Sequence, residues 1–210
     1  MKVLIICDDI HHHEEVIKGG LEFLHDEFDV TFAAKINSPL TGYDVVIMTK
    51  DDMISKSDES GWLTPDIEQE FSDYANNGGG VLFIHAGVVI CRESATIKNI
   101  AGCAFEDHPE QCVVDFAVTA KHPITDGVAN FAEKDEHYFI DFTATDADIF
   151  MESRSPHGTQ PAGYSRSQGK GRVCVLTPGH NLEVFQNGEY KKMIGNAVRW
   201  CASVTPPESP

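Results

Sequence analysis

The chain is poor in positive charge. Sixteen Lys and Arg stand against 33 Asp and Glu, a formal net charge of −17 over 210 residues. Such a surface repels phosphate backbones and no basic stripe offsets it, so no nucleic acid partner is expected. Long apolar runs are also missing: no stretch approaches the ~20 residues of a membrane span, and no membrane partner is expected. The first residues show no basic region followed by an apolar core and a small-residue cleavage site, so no secretory leader is expected. The six cysteines (Cys7, Cys91, Cys103, Cys112, Cys174 and Cys201) form no C-x-x-C pair and lie mostly in apolar segments. They read as reduced thiols of a cytoplasmic protein. Zinc-finger spacing, H-E-x-x-H, internal repeats and low-complexity tracts are all absent. Gly169-Lys170-Gly171-Arg172 leads into a strand rather than a helix and lacks the Walker pattern, so no nucleotide cofactor is expected.

What is present is a regular alternation of buried strands and amphipathic helices. Apolar, β-branched runs at residues 2–7, 29–34, 43–49, 80–85 and 172–177 predict strands. Apolar residues at helical spacing predict helices over 16–28 and 189–202. A third starts at Thr64-Pro65-Asp66, a capping hydroxyl followed by proline at the first helical position and an acidic first turn. The near-continuous apolar strands suit a parallel sheet covered on both faces. Residues 113–119, 138–142 and 148–151 are shorter and lie among turn-rich segments, which predicts a strand-rich insertion or an antiparallel extension of the sheet. A chain of this length buries roughly 70% of its unfolded surface, enough to fold without a disulfide or metal. The expected organisation is one α/β domain over 1–204 and a frayed tail over 205–210.

Gly78-Gly79-Gly80 leads into Val81-Leu82-Phe83-Ile84 and then His85-Ala86-Gly87. This resembles the elbow on which α/β enzymes mount a Ser or Cys, but the exposed position holds an imidazole. Covalent acyl chemistry is therefore disfavoured, and a metal, proton-transfer or binding role is favoured. In open α/β sheets, ligands bind beyond the carboxyl ends of the strands. Those ends carry Asp8-Asp9 with His11-His12-His13, Asp51-Asp52, His85 and His180. Three adjacent histidines cannot all face one site. Asp8 and Asp9 serve equally well as helix caps, and Asp51-Asp52 reads as the start of a solvated loop. The middle of the chain adds His108 and Asp135-Glu136-His137-Tyr138, while His122 reads as structural.

Five segments in order resemble the ThuA-like (trehalose utilisation) family: Gly78-Gly79-Gly80 to His85-Ala86, Ala101 to Pro109, His122-Pro123-Ile124, Asp135-Glu136 with Tyr138, and Gly171-Arg172-Val173 through Gly179-His180. The resemblance implies a class I glutamine amidotransferase-like fold, a flavodoxin-like three-layer sandwich with a mostly parallel sheet. It also implies a link to disaccharide or keto-sugar metabolism. Amidotransferases proper carry cysteine at the elbow and a later histidine followed by Pro-Glu. This chain has His85 and His180-Asn181-Leu182-Glu183, so no glutaminase activity is expected, and Cys91 lies too far past the turn to substitute. Pro161-Ala162-Gly163-Tyr164 and Ala101 also depart from the family pattern.

The expected function is metal- or His-assisted chemistry on a sugar; the alternative is a non-catalytic sugar-binding or regulatory module. His85, His180 and Glu136 are the expected catalytic residues, and Asp8, His108, Asp135 and Tyr138 the expected substrate contacts. His85, His180 and His12 are the candidate ligands of a divalent metal such as zinc. Arg172 is expected to brace the sheet edge. The expected partner is a small-molecule sugar, and homo-oligomer formation is left open.

Overall fold

A computed structural model describes residues 1–37 and 39–202; the frayed tail expected at 205–210 lies outside them. The leading half alternates strand and helix: β1 (Lys2–Ile6), α1 (Glu14–Leu21), β2 (Asp29–Ala33), β3 (Val45–Met48), α2 (Pro65–Asn76), β4 (Gly80–Ile84) and α3 (Ala95–Ala101). Strands dominate next: β5 (Cys103–Asp107), β6 (Cys112–Val118), β7 (Phe131–Asp135), β8 (Phe139–Phe142), β9 (Asp148–Ser155), β10 (Gly158–Gln168) and β11 (Gly171–Leu176). Two helices follow, α4 (Leu182–Gln186) and α5 (Gly188–Cys201).

Nine strands form one sheet in the order β2-β1-β3-β4-β11-β10-β9-β6-β7, while β5 and β8 pair separately. The first five strands are parallel throughout. From β11 outward every pairing is antiparallel. The sheet is thus parallel only from β2 to β11, and the strand-rich middle of the chain extends it antiparallel. Arg172, expected at a sheet edge, lies instead on an internal strand. Its guanidinium donates to Trp200 O at 3.0 Å and sits over the Trp200 ring, bracing the end of α5.

Strand periodicity explains the layers. Val3 and Ile5 point to one face, where they meet Ile17 and Leu21 of α1, Phe185 of α4 and Tyr190 and Ile194 of α5. Leu4 and Ile6 point to the other, against Phe71 and Tyr74 of α2 and Ile97 and Ile100 of α3. With both faces covered, the central parallel strands need apolar side chains at nearly every position, and β1, β3 and β4 show the continuous runs that follow. The helix expected over 16–28 instead becomes α1 followed by a 3-10 turn at Glu22–Asp26. Gly19 and Gly20 weaken it, and Gly20 is needed because a Cβ there would lie 2.6 Å from the Phe185 side chain. At α2 the Thr64 hydroxyl accepts from Ile67 N and Pro65 opens the first turn.

β2 and β3 lie on opposite sides of β1, so the strand order reverses there. The crevice beyond the carboxyl ends of β1 and β3 is where this architecture places ligands.

Candidate metal centre

Four chain segments converge on that crevice. Cys7 is the last buried apolar residue after β1. Asp8 then adopts a left-handed backbone (φ +84°), and residues 9–13 turn back into α1. Of the three consecutive histidines only His12 turns inward; His11 and His13 are exposed. The turn after β4 puts His85 at φ +46°. Gly87 makes that turn possible, because any Cβ there would sit 2.1 Å from Met48 O of β3. Past β11, Gly179 at φ +140° swings the chain so that His180 faces the same space. Glu136 comes from the β7–β8 connection, so the antiparallel extension delivers the carboxylate.

One ligand atom from each of His12, His85, Glu136 and His180 lies within 4.8 Å of all the others. His85 Nε2 is 3.3 Å and His180 Nδ1 3.1 Å from Glu136 Oε2. Both are close enough for ion pairing, yet neither is aligned for a hydrogen bond. His12 Nε2 is likewise buried without a partner. The outer nitrogens of the two most buried rings are tied down. His85 Nδ1 lies 2.8 Å from Thr177 O, and a carbonyl only accepts, so Nδ1 carries the proton. His12 Nδ1 lies 3.1 and 3.2 Å from the two oxygens of Asp9. Each ring therefore turns an Nε2 lone pair towards a carboxylate, an arrangement that hydrogen bonds alone leave unsatisfied and that a cation satisfies. Three imidazole nitrogens and one carboxylate oxygen are a donor set suited to zinc and other divalent transition metals.

The charges respond to this crowding. Burial opposes ionisation of Glu136, but His180 and His85 overcome it and hold the carboxyl well below its usual range. Burial pushes the His85 pKa down despite Glu136. At His180 burial acts in the same sense, but Glu136 outweighs it and the pKa rises. Burial likewise opposes the charge on Asp9, yet contact with His12 and the surrounding amides brings its pKa to about 2.

The other sequence-nominated residues take different places. His108 stands at the rim, its Nε2 3.6 Å from Glu136 Oε1 and its Nδ1–H directed at Pro109 O at 2.9 Å. Tyr138 is 3% exposed and stacks under His85, with ring centroids 3.9 Å apart. Asp135 is fully buried; its oxygens accept from Gly179 N at 2.8 Å and His180 N at 3.0 Å, which braces the turn carrying His180. Asp8 lies outside the four-donor cluster and has one buried oxygen without a partner. His122 is structural: its ring accepts from Ile124 N and contacts Ser165 Oγ. Asp51 and Asp52 begin a loop that is exposed over residues 56–61, but the two are themselves half-buried anchors of it. Asp51 N donates to Asp9, and Asp52 accepts from Trp62 N and Leu63 N. The six cysteines are free thiols, and Cys91 is buried with its pKa pushed well up.

The trehalose utilisation (ThuA) family model matches residues 2–201. The chain belongs to this family. Among solved structures, a ThuA-like protein of Parabacteroides merdae ATCC 43184 superposes with a TM-score of 0.80 at 18% identity, covering 100% of this chain and 92% of its own. A ThuA-like protein of Bacteroides uniformis ATCC 8492 gives 0.74 at 21% identity, covering 96% and 91%. A GMP synthase-like protein of Thermoplasma acidophilum gives 0.60 at 16% identity, covering 97% and 94%. The last places this ThuA chain on the glutamine amidotransferase-like fold. No curated protein sequence matches the chain. No helix among the described residues is long and apolar enough to cross a membrane.

Proposed function

We propose that this ThuA protein is a cytoplasmic enzyme of carbohydrate metabolism that holds a divalent metal such as zinc and acts on a sugar, with keto sugars the leading substrate class. The observation that carries the reading is the convergence of three buried, unpartnered imidazole nitrogens with one carboxylate oxygen. Family membership supports the carbohydrate part of it. His12, His85, His180 and Glu136 would hold the ion. When bound, it would supply a Lewis acid able to polarise a carbonyl or activate water. The chain's own groups do the rest. His85 and His12 present fixed lone pairs from a dry wall. His180 and His108 face the opening, where they can contact sugar hydroxyls. Tyr138 and Asp8 add a hydrogen-bond donor and an acceptor beside them, and Asp135 keeps His180 in place.

A second reading is a sugar-binding module without catalysis. It is favoured by the donor count: four protein ligands already fill a tetrahedral shell, as in structural zinc sites. Metal analysis of the purified protein, followed by NMR of sugar and keto-sugar mixtures, separates the readings. The enzyme reading expects stoichiometric metal and time-dependent loss of substrate signals, both abolished by His85→Ala and His180→Ala. Bound metal with sugars retained unchanged selects the module. A protein that takes up no divalent ion refutes the metal in both.

A further inference from the structure

Asp9 is fully buried, yet its carboxylate is the most heavily used group near the crevice. Oδ1 accepts from His11 N at 2.8 Å and His12 N at 2.6 Å. Oδ2 accepts from Asp51 N at 3.0 Å, which ties the β1 turn to the end of β3. Both oxygens also face His12 Nδ1. A helix cap would engage the amides of the following helix. Asp9 instead bends its own turn closed, and α1 begins at Glu14 after His13, with no side-chain cap. The ring it grips is the one whose far nitrogen is buried and unpartnered.

We propose that Asp9 is a positioning residue for a transition-metal ion: it fixes His12 as the Nδ1–H tautomer, aims Nε2 at the other three donors, and thereby sets the affinity of the site for the ion. The role presupposes the metal centre proposed above. It follows from the geometry because a carboxylate accepts only, so the nitrogen facing it carries the proton. A second carboxylate behind a ligating histidine fixes the ring orientation and raises its basicity. The Asp51 amide makes β3 part of the device: movement of the β3–α2 connection reaches the metal through Asp9 and His12. The spacing Asp9-x-x-His12 is what lets one carboxylate hold the turn amides and the ring together.

The test is Co(II) titration followed by calorimetry and by the visible ligand-field bands, on the unaltered protein, Asp9→Asn, His12→Ala and the double variant. Asp9→Asn should bind Co(II) about 10- to 100-fold more weakly with altered bands, while its far-UV circular dichroism is unchanged. In the His12→Ala background Asp9→Asn should add no further loss, because Asp9 acts through that ring. Affinity within about twofold of the unaltered protein, or an equal loss in both backgrounds, overturns the role. Failure of the unaltered protein to bind Co(II) overturns the metal reading itself, and this one with it. If Asp9→Asn does not fold, ¹⁵N-histidine NMR of the unaltered, metal-free protein near pH 8 decides, since it reads the tautomer directly. A His12 protonated on Nε2 overturns the proposal.

Discussion

His85 shows how far a single residue could be read in advance. Its place at a strand tip after three glycines points to the site, where side chains facing a ligand crevice generally contribute little packing. The ring is in fact 1% exposed, bonded to Thr177 O and stacked on Tyr138. Removing it strands a buried carbonyl and opens a cavity. His85→Ala should therefore cost about 1–3 kcal/mol in urea denaturation as well as any metal affinity. His180→Ala, at a ring open to solvent on one side, should cost clearly less stability for a similar loss of metal. Equal stability losses would show that the two rings are equally structural. His180 and the single inward histidine of three were visible as residue types at strand ends, whereas Glu136 was carried by the family resemblance. Asp9 was not separable from a cap, because the same short carboxylate serves either role and only the fold shows which amides it meets.

The two rings also predict a pH signature for metal-free protein. His85 has a folded pKa below the ordinary 6.5, so unfolding takes up a proton and its contribution falls as pH drops below 6.5. Glu136 and Asp9, both depressed, add losses further into acid as pH falls through their folded values. His180 is raised, so its contribution is complete below 6.5 and disappears as pH rises through its folded value. Stability from this cluster should peak near pH 6.5. Thermal melts across pH 4–9 check it, and His180→Ala should flatten the alkaline limb alone.

At the scale of elements, the buried parallel strands and the start of α2 were legible because periodicity and capping are local. β10 was not. Its sequence, Gly158 to Gln168, reads as polar and turn-rich, with Pro161 in the middle. It is a strand because β9 and β11 pair with it on both sides, because Tyr164 is buried in the α2–α3 face, and because Pro161 sits at a register shift where one ladder bond is already lost. Tertiary partners, not propensity, decide such a segment. The elbow itself has a sharper requirement. Gly87→Ala puts a methyl onto Met48 O and should destabilise by about 1–3 kcal/mol through backbone displacement, measurable as a lower urea midpoint. A neutral result would mean that the turn after His85 relaxes freely. The buried elements also shield the thiols. Cys7 and Cys103 have pKa values raised to about 12 and about 11 by burial, whereas Cys112 is half-buried. Native protein should present at most one quickly reacting thiol to Ellman's reagent, and denatured, unreduced protein six.

At the scale of the molecule, the parallel half supplies three imidazoles and the antiparallel extension the carboxylate, so the candidate centre joins the two halves of one sheet. That division was half legible: alternation of strands and helices announced the parallel part, while the pairing of the middle strands rests on contacts distant in sequence. An ion there should raise the melting temperature, by mass action about 2.7 kcal/mol at a hundredfold excess over its Kd, and EDTA should reverse the gain. No shift with any divalent ion would argue against the centre.

The four donors, at positions 12, 85, 136 and 180, also set an order of assembly. A zinc finger gathers its ligands from one short stretch, so its ion can template folding from the start. Here the last donor arrives only after β11 has docked beside β4 and β7 has closed the far edge. The loops that must close first are long, and their entropy is spent before any ion can be gripped. An ion bound there would be a fastener applied at the end, so it should slow unfolding while leaving the refolding rate unchanged. Stopped-flow refolding with and without metal reads that difference directly. If the centre holds a metal, the protein would leave the ribosome, fold empty, and draw the ion afterwards from whatever pool the compartment offers.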